Sequence, residues 1–530
     1  MTGFRWVSIG LFVCAASIAN AAETAIVEND ADEPQTIVVT ASRLTEPVAG
    51  SPISAPVMPQ YIEGQVAPSE NVDYGMSGLS LPPAYAGGQV AAGSNLGVLG
   101  NRSFMDAPFN TTSYTSKYME DIQAKTMQDV LSTDPTVRFH YPEAAMFESM
   151  YIRGMPYNVN NISLNGMLGM APGFNVPTEM LERVEVIRGP GALLTGINTG
   201  SEPNGGVNLV LKRALPKDLT RLTVDYSSNG QVGTHVDISR RFGSQKQFGV
   251  RLNGVVRDGR TQMRRQDSER WLGSVALDYT TDRVRLDLNA FQIKDKTDGA
   301  GTMLVNAQNM GAANILVPKA PKYKNGVKGL WAKIENRGIL SQAEVKVTDF
   351  LTAYAGVGYV ESKATGFLGG ASFSTLDALT GAGNLSTAYT NQKLEKTAYK
   401  AGLRSEFHTG LLKHNMIFDW SRLDMDQYSG NTSVSFTNLN LYDLNIDTSQ
   451  LPRTKPRAPK VGEHSLNGIT LADTLDFCDG LVQLTGGVRW QTVELDTFAA
   501  TGQRTSHYDK TKASRNCPAI PTLYSSLVHR

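Results

Sequence analysis

The sequence predicts a membrane β-barrel that is preceded by a compact α+β domain, and three observations support this prediction. The first residues have the pattern of an export signal. Residues 101–215 combine one helical pattern with short apolar strands and many glycines. From residue 219 onward, apolar and polar side chains alternate with a period of two, which is typical of β-strands that have one apolar face.

The composition limits what the chain does. Its 530 residues include 50 basic and 50 acidic side chains, so the formal net charge is zero. Without net positive charge or a dense Lys/Arg run there is no electrostatic reason to expect nucleic acid as a partner. The seven histidines show no metal-ligand spacing, and no nucleophile elbow, phosphate loop or catalytic carboxylate pair is evident. We therefore expect no enzyme, no bound metal and no cofactor.

Residues 1–21 are predicted to be a signal peptide. Arg5 precedes the apolar run Trp6 to Ile18, which leads into a small-residue segment. This run is shorter than the ~20 residues that a membrane-spanning helix needs. The mature chain should thus leave the cytoplasm without a helical anchor. It retains Cys478 and Cys517, and whether these two form a disulfide stays open.

Residues 22–100 are predicted to be a flexible segment. They are rich in Ala, Gly, Pro and Ser and lack sustained periodicity. The one interruption is a β-branched run at residues 35–41, which follows an acidic stretch. Such a run can pair with the sheet edge of a partner protein. An ordinary short strand explains the same pattern, and the residues alone do not decide between the two interpretations.

Residues 101–215 are predicted to form the α+β domain. Apolar residues at near-helical spacing predict a helix over Tyr118 to Thr133, and Pro135 follows its end. Short apolar runs predict strands at Ser149 to Arg153, Ile162 to Leu164 and Val184 to Arg188. The glycines beyond the helix suit tight turns and close backbone approach.

The segment from residue 219 onward is predicted to form the strands of a barrel. Apolar residues alternate with charged or polar ones at 222–226, 248–254, 284–289, 399–407 and 482–491. Short turns are predicted near 243–246, 280–282, 348–349, 408–410 and 479–480, and longer connections near 258–269, 296–328, 365–390 and 425–463. Alternation of short and long connections is typical of outer-membrane barrels. The alternative, a soluble β-sandwich, seldom contains so many long loops.

In this order, the leader, the β-branched run, the α+β domain and the alternating strands resemble the TonB-dependent siderophore receptor family. The resemblance covers nearly all of the mature chain. Its most specific part comprises Met180 to Pro190 and Gly205 to Val210, which look like the family's signature segments. Residues 129–138 and 151–154 are also similar to the family pattern.

The resemblance implies that the α+β domain is a plug in the lumen of a 22-stranded barrel. It also implies that the β-branched run contains the TonB box, formed by Thr36, Ile37, Val38, Val39, Thr40 and Ala41. A TonB-type energy transducer would add a strand to this box. The other implied partners are a ferric siderophore, the lipid of the bacterial outer membrane and the barrel-assembly machinery. Iron would arrive inside its chelator, so the protein needs no metal ligands of its own.

By the same resemblance, the candidates for ligand binding at the apex of the plug are Arg153, Tyr157, Met170 and Phe174. Aromatic and cationic side chains suit a bulky, often anionic chelate. An ion pair between plug and barrel is the alternative for Arg153, and simple packing is the alternative for the other three. The motifs also fit a receptor for haem, cobalamin or an oligosaccharide, or a truncated surface protein that binds without transporting.

The strand count departs from the family. About eleven strands are predicted between Leu219 and Asp496, so residues 219–514 correspond to the N-terminal part of the barrel. The tail at residues 515–530 shows neither alternation nor resemblance. An open half-barrel would leave backbone groups unpaired in hydrocarbon. We therefore expect this chain on its own neither to close nor to transport.

Overall fold

The computed structural model describes residues 81–516. Within this range it leaves out residues 86, 105–106, 108, 142–147, 190, 197–204, 228–229, 264, 300–302, 306–326, 378–379, 441–445 and 478–481. The predicted signal peptide, the run Thr36 to Ala41, Cys478, Cys517 and all but the first two residues of the tail lie outside the described residues.

Among its described residues, the α+β unit contains nine short strands and three short α-helices, besides two single turns of 3-10 helix. These elements are β1 (Gly93–Asn95), β2 (Asn101–Ser103), β3 (Asn110–Thr115), α1 (Ser116–Asp121), α2 (Met127–Leu131), β4 (Val137–Phe139), β5 (Met150–Ile152), β6 (Met155–Tyr157), β7 (Ser163–Leu164), β8 (Leu181–Arg188), α3 (Ala192–Thr195) and β9 (Gly205–Leu211). Its main sheet has the order β3-β8-β9-β7, with β7 and β9 parallel and the other pairs antiparallel. Strands β4, β5 and β6 form a second antiparallel sheet, so the predicted α+β composition is confirmed.

The prediction of a single helix over Tyr118 to Thr133 is wrong, because two short helices occupy this stretch. Helix α1 ends at Asp121, and Gln123 then adopts a left-handed φ of 54° that no helix continues through. Helix α2 starts afresh at Thr126, whose hydroxyl accepts from the N–H of Asp129 while the Asp129 carboxylate accepts from the N–H of Thr126. This capping box, Thr-x-x-Asp, provides a helix start inside the predicted helix.

The second part of the chain forms one 14-stranded sheet. Its strands are β10 (Leu219–Ser227), β11 (Gln231–Phe242), β12 (Phe248–Arg260), β13 (Asp267–Thr280), β14 (Val284–Asp298), β15 (Met303–Val305), β16 (Trp331–Lys346), β17 (Leu351–Gly366), β18 (Ala371–Leu376), β19 (Ala382–Thr409), β20 (Leu412–Asn440), β21 (Lys460–Phe477), β22 (Val482–Phe498) and β23 (Arg504–Asn516). Twelve of them follow each other as antiparallel neighbours from β10 to β23, while short β15 and β18 pair beside this path. Up to β22 the path has eleven strands, as predicted.

The two faces of this sheet have inverted polarity. On β14, Leu286 and Leu288 are 45% and 39% exposed, whereas the intervening Asp287 and its neighbour Asn289 are each 2% exposed. A water-soluble sandwich would bury the leucines and expose the carboxylate. Apolar side chains pointing outward and polar ones inward are the pattern of an outer-membrane barrel. The burial therefore supports the barrel over the sandwich.

The α+β unit lies against the polar inner face of the sheet. It contacts strands from β10, where Glu120 pairs with Arg221, to β22, where Gly196 adjoins Gln491. The sheet therefore wraps around the unit. One apolar core, which includes Val184, Leu209 and Met170 of the unit, extends to Val360 and Leu423 of the sheet. Among the residues that the structure describes, no helix is both long and apolar enough to cross a lipid bilayer.

The connections between strands differ at the two ends of the sheet. Four of the predicted short turns are confirmed, and the fifth, at residues 479–480, lies outside the described residues. The predicted long connections at 365–390 and 425–463 are too long, because β19 and β20 stay paired as far as Ala382 and Asn440. The reason is a second apolar cluster between these extensions, which buries Phe367, Phe373 and Phe436 among others. It supplies packing that the local sequence pattern does not reveal.

Candidate functional site at the inner face of the sheet

The four predicted ligand residues lie at different depths. Arg153 is exposed at the tip between β5 and β6, where it adopts a left-handed φ of 51° next to Gly154. Among the described residues it forms no ion pair, so the alternative of a plug–barrel ion pair finds no support there. Phe174 is half-buried against Ile334 and Ala364 of the sheet. Contact of these residues with a ligand stays a prediction.

Tyr157 and Met170 are buried. The Tyr157 hydroxyl donates to the carbonyl of Asn161 and accepts from the N–H of Val207, both at 3.3 Å. Burial raises the pKa of Tyr157 to about 12, against the opposing effect of the Val207 hydrogen bond. The Met170 side chain packs over Gly358 of β17, where a Cβ would come within 2.9 Å of its sulfur. Both side chains have packing positions in this structure, and their role in binding stays a prediction.

The loop at residues 165–174, between β7 and β8, is attached to the sheet through its backbone. Gln342 donates to the carbonyl of Asn165 at 3.0 Å, and the Lys396 ammonium donates to the carbonyl of Ala171 at 2.9 Å. The Asn336 side chain both accepts from and donates to the backbone of Gly173, at 3.0 and 3.1 Å. Side chains of the sheet thus hold this loop by its backbone carbonyl and N–H groups, which do not depend on the side chains of the loop.

Towards β10, β11 and β12 the contacts are of another kind. Glu179 of the unit pairs with Arg257 at 2.9 Å, and Glu120 pairs with Arg221 at 2.6 Å. Lys125 donates to Ser227 at 2.5 Å. Opposite charges joined across a polar interface can separate and become hydrated when the interface opens. The arrangement therefore combines firm docking with exchangeable contacts.

Two buried acidic side chains connect segments of the unit itself. Asp134, which is inaccessible to solvent, accepts from Thr136, Tyr114 and the guanidinium of Arg188. Burial would raise the pKa of Asp134, but the hydrogen bonds from Thr136 and Arg188 outweigh it and lower that pKa. The sequence does not signal this pair, because 54 residues separate its members.

The second carboxylate, Glu148, joins three segments of the unit. It accepts from the N–H of Gln128 at 3.0 Å and from that of Val176 at 3.1 Å. Its own N–H donates to the carbonyl of Phe174. Burial raises the pKa of Glu148 to about 8, although these N–H groups favour the charged form.

A cavity of about 50 Å³ lies between the unit and strands β19 to β22. Its walls include Tyr157 and Asn208 on one side and Lys400, Asp419 and Arg489 on the other. One water needs about 10–15 Å³ of such volume, so the cavity holds only a few waters. Among the described residues, no group of three or more His, Cys, Asp or Glu side chains is placed to hold a metal ion.

Comparison with known proteins gives consistent matches. Residues 103–201 match the TonB-dependent receptor plug domain family. The chain is 32% identical over 425 residues to the ferrichrome receptor FcuA of Yersinia enterocolitica, which covers 79% of this chain and 55% of that receptor. It is 25% identical over 177 residues to the vitamin B12 transporter BtuB of Vibrio vulnificus, covering 32% of this chain and 29% of that transporter.

Among solved structures, the ferric preacinetobactin receptor BauA of Acinetobacter baumannii has a similar fold, with a TM-score of 0.73 and 33% identity. The match covers 82% of this chain and 64% of that receptor. This chain therefore spans somewhat more than half the length of FcuA and BauA.

Proposed function

Because the chain belongs to the TonB-dependent siderophore receptor family, we propose that the full-length gene product binds a ferric siderophore at the outer surface of the bacterial outer membrane and imports it. Members of this family are receptors and transporters, and the chain is accordingly not an enzyme. The observation that carries the proposal is the plug, residues 103–201, placed against the polar inner face of the strand sheet. A plug in that position must be remodelled before a bulky solute passes.

Cleavage of the signal peptide after residue 21 belongs to the same proposal, as does energisation by a TonB-type transducer at residues 36–41. The contacts described above support a remodelled plug. Its ion pairs with β10 and β12, and its backbone hydrogen bonds with β16 and β19, lie beside a polar lumen where water can replace them. The apolar core that extends from the unit to Val360 and Leu423 is the part of the interface that would resist such an exchange.

The named relatives support a siderophore as cargo. FcuA is a ferrichrome receptor and BauA a ferric preacinetobactin receptor, and both are more than 30% identical to this chain. A cobalamin is the second candidate, because a shorter part of the chain matches a vitamin B12 transporter. In either case the cargo supplies its own metal, and the protein carries no cofactor.

The test separates binding from uptake. The full-length gene product is expressed in a strain without siderophore receptors, and radiolabelled ferric chelates are offered with the intact protein or with residues 36–41 deleted. We expect both proteins to bind chelate at low temperature and only the intact one to accumulate iron on warming. Uptake by the deletion variant would contradict energisation through residues 36–41. Binding of cobalamin but of no ferric chelate would favour the second cargo.

A further inference from the structure

The cations on the inner face of the sheet are paired with carboxylates in one region and unpaired in another. On β12, Arg257 lies 2.9 Å from Glu179 and 3.1 Å from Asp225, and Arg251 lies 2.6 Å from Asp237. Arg270 on β13 lies 2.7 Å from Asp295. Each of these guanidinium groups has a carboxylate partner. Strands β19 to β22 differ from this pattern.

Lys396 on β19 is a buried lysine without a carboxylate partner among the described residues. Its side chain is 1% exposed, and its ammonium donates to the carbonyl of Ala171 in loop 165–174. The residues paired with it on the adjacent strands are Val360 and Met425, which are also buried. A buried ammonium normally has a counter-ion. Here a single neutral carbonyl takes that place.

Arg489 on β22 repeats this feature. It is 3% exposed, and its guanidinium donates to Gln491, to the Thr470 hydroxyl and to the Ser421 hydroxyl, all of which are neutral. Among the described residues it has no ion pair with a carboxylate. Its side chain and that of Lys400 line the cavity of about 50 Å³.

Two further groups complete this region. Lys400 donates to the carbonyl of Gly166, the other end of loop 165–174, at 3.5 Å. Arg404 lies 3.6 Å from Glu344 and stacks over the ring of Tyr354, and its Nε and Nη1 atoms have no hydrogen-bond partner.

The carboxylates of the region do not balance these cations. Asp419 on β20 accepts from the Tyr354 hydroxyl at 2.6 Å, and its second oxygen has no hydrogen-bond partner. On the plug side, Glu185 accepts from Asn208 and lies near its own cation, Arg183. Among the described residues, Asp419 and Glu344 lie near Lys400, Arg404 and Arg489, and neither of these carboxylates forms an ion pair with Lys396.

We propose that the inner face of strands β19 to β22 is the part of the transport path that selects anionic cargo. This inference rests on the proposed function and adds the route and the charge of the cargo. When loop 165–174 moves, Lys396 and Lys400 lose their carbonyl acceptors, and oxygen atoms of a negatively charged ferric chelate replace them. Arg489 lies at the cavity, the next cation along the same face. A lumen lined by uncompensated charge of one sign concentrates solutes of the opposite sign.

The first test compares uptake of two probes by the full-length gene product. One probe is an anionic ferric tris-catecholate, and the other is a neutral ferric tris-hydroxamate. The variant Lys396→Met with Arg489→Gln should lower uptake of the anionic probe by about tenfold or more, and of the neutral probe by less than about twofold, because only the first has lost an electrostatic partner. Lys396→Arg should retain uptake of both. Lys393→Met, on the same strand but the opposite face, is the matched control.

An equal loss for both probes would show that these cations only hold the fold, and no loss for either would also overturn the inference. A second test does not depend on transport. Crystals of the purified protein are soaked in bromide, whose anomalous scattering identifies bound anions. Bromide beside Lys400 and Arg489, and its absence in Arg489→Gln, would support the inference. A cavity without bromide in the parent would overturn it. If the parent imports neither probe, the proposed function fails, and the bromide result still decides this inference.

Discussion

Replacing Glu148 by Gln should remove a pH-dependent weakness of the plug. Glu148 is buried, and its two oxygens accept from the N–H groups of Gln128 and Val176. Burial raises its pKa from 4.5 to about 8 despite these bonds. A folded-state pKa above the unfolded value means that the folded plug holds the proton more tightly. The contribution of Glu148 to stability is therefore largest below pH 4.5 and is lost as the pH rises towards about 8.

The size of this loss of stability follows from the difference between the unfolded and folded pKa values of Glu148. At about 1.4 kcal/mol per pH unit, the rise from 4.5 to about 8 corresponds to a loss of roughly 5 kcal/mol as an upper limit. Gln does not titrate, so the Glu148→Gln variant escapes this loss. At low pH the parent carries the neutral acid, whose hydroxyl oxygen can still accept from the second N–H, whereas the NH2 group of Gln cannot, so the variant is the weaker protein there by about 1–2 kcal/mol. The stability curves of parent and variant should therefore cross.

The assay is denaturant unfolding of the purified chain in detergent across this pH range, with amide exchange at Gln128 and Val176 as the local readout. Glu182→Gln is the matched control. The Glu182 carboxylate lies on the same unit, but the hydrogen bond that it accepts comes from the Ser116 hydroxyl, at 3.1 Å, and not from backbone N–H groups. The control should run parallel to the parent. Parallel curves of stability against pH for Glu148→Gln and the parent would refute the reasoning. A group with the same pKa in the folded and unfolded states cannot make the two curves cross.

Two further predictions concern contacts between the α+β unit and the sheet. Asp237→Asn should destabilise the fold by about 3–5 kcal/mol in thermal unfolding. The reason is that the buried cations Lys212 and Arg251, which lie 3.0 and 2.6 Å from the Asp237 carboxylate, lose their shared counter-ion. A loss of stability below about 1 kcal/mol would contradict this prediction. Gly173→Ala should loosen loop 165–174 by about 1–3 kcal/mol in amide exchange, since its Cβ would lie 2.9 Å from that of Ser362. Adding Ser362→Gly should restore most of the protection, and failure to do so would exclude this contact as the cause.

The strands could be predicted from the sequence because the two faces of a membrane barrel meet different environments, so that apolar and polar residues alternate along each strand. Asp287 between Leu286 and Leu288 is such a case, and the structure places the carboxylate inside and both leucines outside. The helix over Tyr118 to Thr133 could not be predicted correctly from periodicity alone. Its apolar spacing continues across the break, which the Thr126 capping box and the left-handed Gln123 impose.

The polar contacts of the candidate site depend on long-range pairing, which a single sequence does not contain. Lys396 and Ala171 are 225 residues apart in the chain. One signal was nevertheless present, because Lys396 lies in phase with Lys400 and Arg404, on the charged side of the predicted alternation. That phase predicts an inward lysine. It does not reveal that the lysine binds a carbonyl rather than a carboxylate, which is the observation behind the proposed selection of anionic cargo.

Because loop 165–174 is docked through its backbone, its position on the sheet does not depend on which side chains the loop carries. Gln342, Lys396 and Asn336 hold carbonyl and N–H groups, so side chains of the loop can change without loss of these bonds. Met170 and Phe174 are the loop residues proposed to contact ligand. These backbone bonds leave the half-buried Phe174 free to vary with the cargo, whereas Met170 is also held by its packing over Gly358. Substitutions at Met170 or Phe174 should alter which chelate binds, and substitutions at Lys396 should alter how charge affects its passage.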